Sequence, residues 1–456
     1  MALKLGGARS RRHRGGPMKI CMIGGGSVQW TPVLVADIAR TPELAGASFV
    51  LYDIDATALD LLRRAAERTV RELGADIIIE ATNDRRAALR DADYVILCVS
   101  IGGLAAMRND LEIPREFGIA QSVGDTVGPG GLARALRHIP FAVEIAREME
   151  ELCPQAWLLN LTNPMTVICR AITRATSIRA IGLCHEVGNL QHELADIFGV
   201  PTEQITLSVA GINHLPVILG FTIAGNDGMP VLQQWLAEHG VNAMIERHAD
   251  DPVRDVFTDR LAVKFCLLQQ FGVLFGAGDR HVAEFFANML SEQNDFGGRY
   301  GVKLTTIEQR EQLAAQRREH IQRYVDGLEP VPARSSEQLA LIIAALAGRK
   351  AGRFVVNIPN QGQIASLPLN ATVECIADAD ALGLRPHSTA ALPQAAQAVI
   401  AGHVARQELI VEAALTNKRA AALAALSSDP LLRDLADAAP LLDRLLDANR
   451  AFGGSL

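Results

Sequence analysis

The chain has 456 residues, 49% apolar and 21% charged, a composition that excludes a disordered or fibrous protein and leaves length for two or three domains. A formal net charge of −7 offers no electrostatic footprint for nucleic acid, which draws on clustered Lys and Arg. No apolar stretch approaches the roughly 20 residues a membrane-spanning helix needs, and the 7 scattered cysteines read as reduced thiols of a cytoplasmic protein.

In chain order, residues 1–17 are rich in Gly and Arg and read as a disordered extension, with Met18 opening the folded part. Short apolar runs at 20–23, 49–52, 77–79, 94–99, 157–159 and 181–183 then alternate with helix-like spacers. One spacer, 58–73, repeats its apolar residues at helical spacing with Arg and Glu opposite. Near-continuous apolar strands with helical crossovers predict a doubly wound parallel sheet, a Rossmann-like α/β domain over 18–187 resembling that of lactate and malate dehydrogenases.

After Gly188 the pattern changes to longer helical stretches with occasional strands, predicting an α+β domain over 188–456. Within it, 305–327 is charged and helical, and 354–377 alternates apolar residues between Pro and Gly breaks, as strands and turns do. The Ala- and Leu-rich helical stretch 390–446 predicts a surface that buries against a partner subunit, in a homodimer or homotetramer.

Chemistry is first visible at Gly24-Gly25-Gly26-Ser27, a glycine turn between the first strand and a helix. Glycines there let backbone N–H groups approach a pyrophosphate at the positive end of the helix. Gln29 stands where the third glycine of G-x-G-x-x-G would fall. Asp53, at the end of the second strand, suits the two ribose hydroxyls of an adenosine and favours NAD over its phosphorylated form. Gly24, Gly26, Ser27, Asp53 and Val99, the last on the fourth strand, are the candidate cofactor contacts. The alternative is a glycine turn and a solvated acidic loop in an unrelated α/β domain. Asn163 precedes Pro164 at the end of the fifth strand, where its amide can face the nicotinamide or the substrate, or simply end the strand.

The order of motifs resembles the family 4 glycoside hydrolases, the NAD- and divalent-metal-dependent glycosidases. The resemblance runs from Met18 onward and rests on the glycine turn with Thr31-Pro32, on Arg108 with Asp110-Leu-Glu112-Ile-Pro114, and on Gly124-Asp125-Thr-Val-Gly128-Pro129-Gly130-Gly131. It continues through Thr162-Asn163-Pro164, Gly182-Leu183-Cys184-His185-Glu186, Gly211-Ile-Asn213-His214, Gly278-Asp279-Arg280-His281 with Glu284-Phe285, and Asn357-Ile-Pro359-Asn360.

That resemblance implies Cys184 and His214 as ligands of Mn²⁺, although the residues alone read as a buried thiol and a polar loop histidine. It implies hydride removal from C3 of the sugar by NAD⁺, deprotonation at C2, loss of the glycosidic oxygen, addition of water and return of the hydride, outside the two-carboxylate mechanism. Asp279 is the expected base, with Asp259, Asp255 and Glu284 as competitors, and His185 the expected proton donor. Asp125, Asn163, Arg280 and Arg108 are the expected substrate contacts, Arg108 having a structural ion pair as its alternative. Cys184-His185-Glu186-Val187 resembles the uronide-cleaving subgroup, so the expected substrates are small α-linked galacturonides or glucuronides, with Glu186 an awkward neighbour for an acidic sugar. An α-galactosidase or α-glucosidase of the same mechanism, a malate- or lactate-type dehydrogenase, and a nucleotide sensor without chemistry remain as alternatives.

Overall fold

A computed structural model describes residues 17–249 and 252–454. The expected extension lies, Pro17 apart, outside them. Six strands, β1 (Lys19–Ile23), β2 (Ala47–Tyr52), β3 (Ile77–Thr82), β4 (Tyr94–Leu97), β5 (Trp157–Asn160) and β6 (Arg179–Gly182), pair in parallel in the order β3-β2-β1-β4-β5-β6. This is the doubly wound order that the sequence predicts, and its reversal between β1 and β4 opens a crevice at the strands' carboxyl ends. Alternate side chains enter two apolar layers: Cys21, Ile23, Val95 and Leu97 one, Ile20, Met22, Tyr94 and Ile96 the other. Burial of both faces is why these strands read as unbroken apolar runs.

Helices Thr31–Ala39, Ala56–Leu73 and Leu339–Leu346 cover the second layer. The helix Ala56–Leu73 starts where the Asp55 side chain accepts from the N–H groups of Thr57 and Ala58, and stops at Gly74, whose φ of +60° ends it in the left-handed region. Helices Gly128–Leu152 and Met165–Ala175 cover the first layer, joined by Gln394–Thr416, Arg419–Ser427 and Ala438–Arg450 from the far end of the chain. Much of the Ala/Leu surface expected to face a partner subunit is therefore used within the chain, with Val411, Ala422, Leu441 and Leu442 buried beside Leu136 and Ile139.

The sheet does not stop at β6. It continues through β7 (Ile205–Ile212), β8 (Leu215–Ile223), β9 (Asn226–Asp227), β10 (Leu274–Phe275), β11 (Gly352–Pro359), β12 (Thr372–Asp380) and β13 (Gly383–Pro386). Their antiparallel order is β6-β11-β12-β7-β8-β10, with β13 beside β12 and β9 beside β8. One row of residues crosses the junction: Gly182 pairs with Asn357, Asn357 with Glu374, and Glu374 with Gly211. The glycines allow close approach, since a Cβ on Gly182 would lie 2.7 Å from the Met165 side chain and one on Gly211 2.7 Å from the Leu215 carbonyl. Two halves of the chain thus share one sheet, and residues from both meet along its edge.

The packing of the long C-terminal helix has a consequence for acid stability. His403 is buried with its ring 4.8 Å from that of Phe285, and burial, assisted by Arg406, pushes its pKa down to about 3. The folded protein holds it neutral, so its stabilisation is complete above the unfolded value of about 6.5 and is lost as the pH falls from there toward about 3. The variant His403→Leu should lose about 2 kcal/mol less than the parent between pH 7 and pH 5. Urea unfolding at the two pH values checks this, and equal losses in both proteins would refute it.

Candidate active site

The turn after β1 is built around Gly24, whose φ is +100° and where a Cβ would fall 1.9 Å from the Cys98 carbonyl oxygen. No side chain fits there. Gly24 and Gly25 N–H donate to the Tyr52 carbonyl at 2.9 and 2.8 Å, and Gly26 N–H donates to Asp53 Oδ2 at 2.8 Å. Ser27 Oγ accepts from Trp30 N–H at 3.2 Å, and Val99 N–H donates to Thr162 Oγ1 at 2.9 Å. The five expected cofactor residues thus gather at the carboxyl ends of β1, β2 and β4, beside the start of helix Thr31–Ala39. A tight glycine turn, a helix N-terminus and a strand-end carboxylate fit the pyrophosphate and ribose of a dinucleotide.

Across the sheet, Asp125, His214 and His281 bring one carboxylate oxygen and two imidazole nitrogens within 4.8 Å of one another. His214 sits in the turn between β7 and β8 with φ +63°, and its ring centroid is 3.7 Å from that of His281. Its Nδ1 bonds Thr126 Oγ1 at 2.8 Å, leaving Nε2 free to face a ligand. Burial, then the neighbouring His281, pushes the His214 pKa down to about 3, so its lone pair is available at neutral pH. Asp125 accepts from Thr126 Oγ1 at 2.7 Å and from Asn163 Nδ2 at 3.1 Å. Burial opposes its charge, but His281, His214 and Arg134 outweigh that and hold the carboxyl below its usual range. His281 Nδ1 is buried without a hydrogen-bond partner among the described residues. One carboxylate and two imidazoles form a donor set suited to Mn²⁺ or another borderline divalent cation.

The expected ligand His214 belongs to this group, and Cys184 does not. Cys184 follows β6 and packs with Met165 and Cys169. Burial, then the Glu374 and Glu186 carboxylates, pushes its thiol well up. The third member of the group, His281, stands in a quoted motif, and Asp125, expected as a substrate contact, is a candidate cation ligand as well. Sequence reading had no means of joining Asp125, His214 and His281, which lie on three separate segments.

His185 lies 3.0 Å by Nδ1 from Glu337 and 3.4 Å by Nε2 from Glu186. Burial disfavours its charge, yet the two carboxylates prevail and raise its pKa to about 10, so the ring is protonated at neutral pH. Glu186 accepts from the Gly278 amide as well, which ties it to cationic and N–H partners. Asp279 is buried, its oxygens accepting from Val263 and Lys264 N–H at 2.9 and 3.1 Å at the start of helix Ala262–Phe271. Burial pushes its pKa up to about 6, restrained by the Lys264 ammonium 3.4 Å away. Among its competitors, Asp259 bonds the same Lys264, Asp255 is fixed by Arg260 and Lys303, and Glu284 accepts from Val123 and Gly124 N–H at 2.6 and 2.9 Å.

The expected substrate contacts separate. Asn163 and Asp125 touch each other, and Arg134 Nε holds the Asn163 carbonyl at 2.9 Å. Arg280 donates to the carbonyl of Ser122, in the loop leading to Asp125, and to Thr305 Oγ1, just before helix Ile307–Val325. Arg108 instead lies on helix Gly103–Glu116, paired with Glu112 at 2.9 Å and with Glu308 at 2.7 Å, the ion pair that was its structural alternative.

With this geometry in hand, comparison with known proteins is specific. The model of the family 4 glycosyl hydrolases matches residues 19–200, and that of the family 4 glycosyl hydrolase C-terminal domain matches 209–432. A Bacillus subtilis protein named alpha-galacturonidase is 35% identical over 441 residues, 94% of this chain and 97% of the relative. A Bacillus subtilis alpha-galactosidase is 33% identical, over 90% of this chain and 93% of its own length. The crystal structure of lplD from Bacillus subtilis superposes with a TM-score of 0.87 at 34% identity, covering 94% of this chain and 100% of that one. A shared sheet whose two halves each match the corresponding family model leaves one assignment: the chain belongs to the family 4 glycosyl hydrolases.

Proposed function

We propose that this protein is an α-galacturonidase acting on small oligosaccharides, with NAD and a divalent cation, Mn²⁺ by preference, as its cofactors. The observation that carries the choice of sugar is the 35% identity, over 94% of the chain, to a relative named alpha-galacturonidase. The donor set of Asp125, His214 and His281 and the tight glycine turn at Gly24 beside the Asp53 carboxylate support the cofactors.

A bound nicotinamide supplies reversible hydride removal at C3, and a bound cation polarises the neighbouring sugar oxygens. The chain's own residues do the rest. Asp125 and His214 orient the sugar edge, with Asn163 fixed between Asp125 and Arg134. His185, held protonated by Glu186 and Glu337, donates to the departing glycosidic oxygen. Asp279, with its pKa near 6, accepts the proton from C2, which suits a base working near neutral pH.

A set of 4-nitrophenyl α- and β-glycosides, with NAD⁺, Mn²⁺ and a thiol reductant, tests this. The expected result is nitrophenol release from the α-galacturonide with no net NADH formation. Cleavage of neutral α-galactoside without any α-uronide would overturn the sugar and favour the galactosidase reading. Stoichiometric NADH formation would overturn the glycosidase chemistry in favour of a dehydrogenase.

A further inference from the structure

Two guanidinium groups stand beside the candidate site with less bonding than their burial demands. Among the described residues, Arg280 has Nη2 bonded but a buried Nε without a partner, and Arg310, on helix Ile307–Val325, has both Nε and Nη2 buried and unpartnered. They flank one aromatic ring: the Arg280 Cζ lies 4.9 Å and the Arg310 Cζ 5.9 Å from the centroid of Phe257. Two like charges sharing one buried place, with unused N–H donors, cost free energy unless an anion completes them. Beyond burial, Asp125 is the strongest charged neighbour of Arg310. Arg280 also precedes His281 and grips the Ser122 carbonyl, so Arg280 is joined to the segments that carry His281 and Asp125.

We propose that Arg310, together with Arg280 on the Phe257 ring, is the specificity-determining group that reads the carboxylate of the substrate sugar. The inference rests on the α-galacturonidase reading above and assigns its acid recognition to residues outside the surface Arg108 ion pair. A planar carboxylate accepts two N–H bonds from a guanidinium in the plane of the fork, and a neutral hydroxymethyl group cannot replace it there. The unpartnered Nε and Nη2 of Arg310 are adjacent donors of one such fork.

The test compares the full-length enzyme with Arg310→Gln and Arg310→Lys, using 4-nitrophenyl α-galacturonide and α-galactoside, with melting curves to establish folding. Arg310→Gln should lower kcat/KM for the uronide by about 100-fold, chiefly through KM, and leave the galactoside unchanged or improved. Arg310→Lys should fall between, because it keeps the charge and loses the fork. Equal losses on both sugars, or an unchanged preference for the uronide, would overturn the proposal. A second readout is the melting temperature with free galacturonate or galactose added to the NAD⁺- and Mn²⁺-loaded protein. Galacturonate should raise it more than galactose does, and Arg310→Gln should erase the difference. If the parent enzyme cleaves only the neutral galactoside, the galacturonidase reading fails. The melting comparison then decides the arginine assignment: a preference for galacturonate lost in Arg310→Gln upholds it, and no preference overturns it.

Discussion

Replacing His281 by alanine should weaken Mn²⁺ binding by at least on the order of 100-fold and remove metal-dependent glycoside cleavage. The expectation follows from position: His281 is one of three donors within 4.8 Å, and its Nδ1 has no hydrogen-bond partner among the described residues. His214→Asn should have the same effect, and asparagine is the apt replacement because it tolerates the φ of +63° that the turn imposes. Mn²⁺ binding is read from the free-ion electron spin resonance signal in NAD⁺-loaded protein, with melting curves as the folding control. Cys184→Ser discriminates between ligand sets. If the cation is held by Asp125, His214 and His281, the serine variant keeps most of its affinity. If Cys184→Ser loses the cation and His281→Ala retains it, the ligands are instead Cys184 and His214.

That contrast marks how far the site is legible in the sequence. Gly24, Gly26, Ser27, Asp53 and Val99 can be proposed together from the sequence because a glycine turn and neighbouring strand ends in fixed order are a local device. The cation cluster is not local. Asp125 precedes helix Gly128–Leu152, His214 caps a hairpin, and His281 lies in the short helix Asp279–Ala283. No spacing rule connects three such segments. Motif order names His214 and lists His281, but only the fold sets their rings 3.7 Å apart. Arg310 is hidden more deeply, since it sits in the charged helix 307–325 among residues such as Arg317 and Glu308 that make ordinary ion pairs and polar contacts.

The fold shows the same division. The six parallel strands are legible because burial on both faces leaves unbroken apolar runs. β7 and β8 are harder to see, since Gly211, Pro216 and Gly220 punctuate them and the sheet receives them only after β11 and β12 arrive from more than a hundred residues later in the chain. The terminal helices show a further limit: an apolar helical surface announces that it will be buried, and sequence does not say whether by another subunit or by the chain's own first half.

How tightly the chain's end is bound to its beginning can be measured at one buried pair. Arg137, on helix Gly128–Leu152, donates in parallel to both oxygens of Asp110 at 2.8 and 2.6 Å, with the two side chains 0% and 1% exposed. The same guanidinium donates to Asn449 Oδ1, and Asn449 Nδ2 donates to the Ala133 carbonyl at 2.8 Å, so helix Ala438–Arg450 is anchored to the pair. Asp110 falls in a motif that the sequence marks next to the exposed Arg108, and its surroundings explain it as a buried structural anion. Removing one partner leaves an uncompensated charge away from water, so Asp110→Asn should destabilise the protein by about 3–5 kcal/mol. The paired change Asp110→Leu with Arg137→Met should recover much of that loss, because burying two apolar side chains avoids the desolvation of both ions. Urea unfolding of the parent and the two variants reads the stability, and hydrogen exchange of residues 438–450 reads the anchoring. The single variant should accelerate exchange there before the rest of the chain unfolds. A loss below about 0.5 kcal/mol in Asp110→Asn would mean that water compensates the remaining arginine and that the apolar contacts of Leu441, Leu442 and Leu445 hold the helix without it.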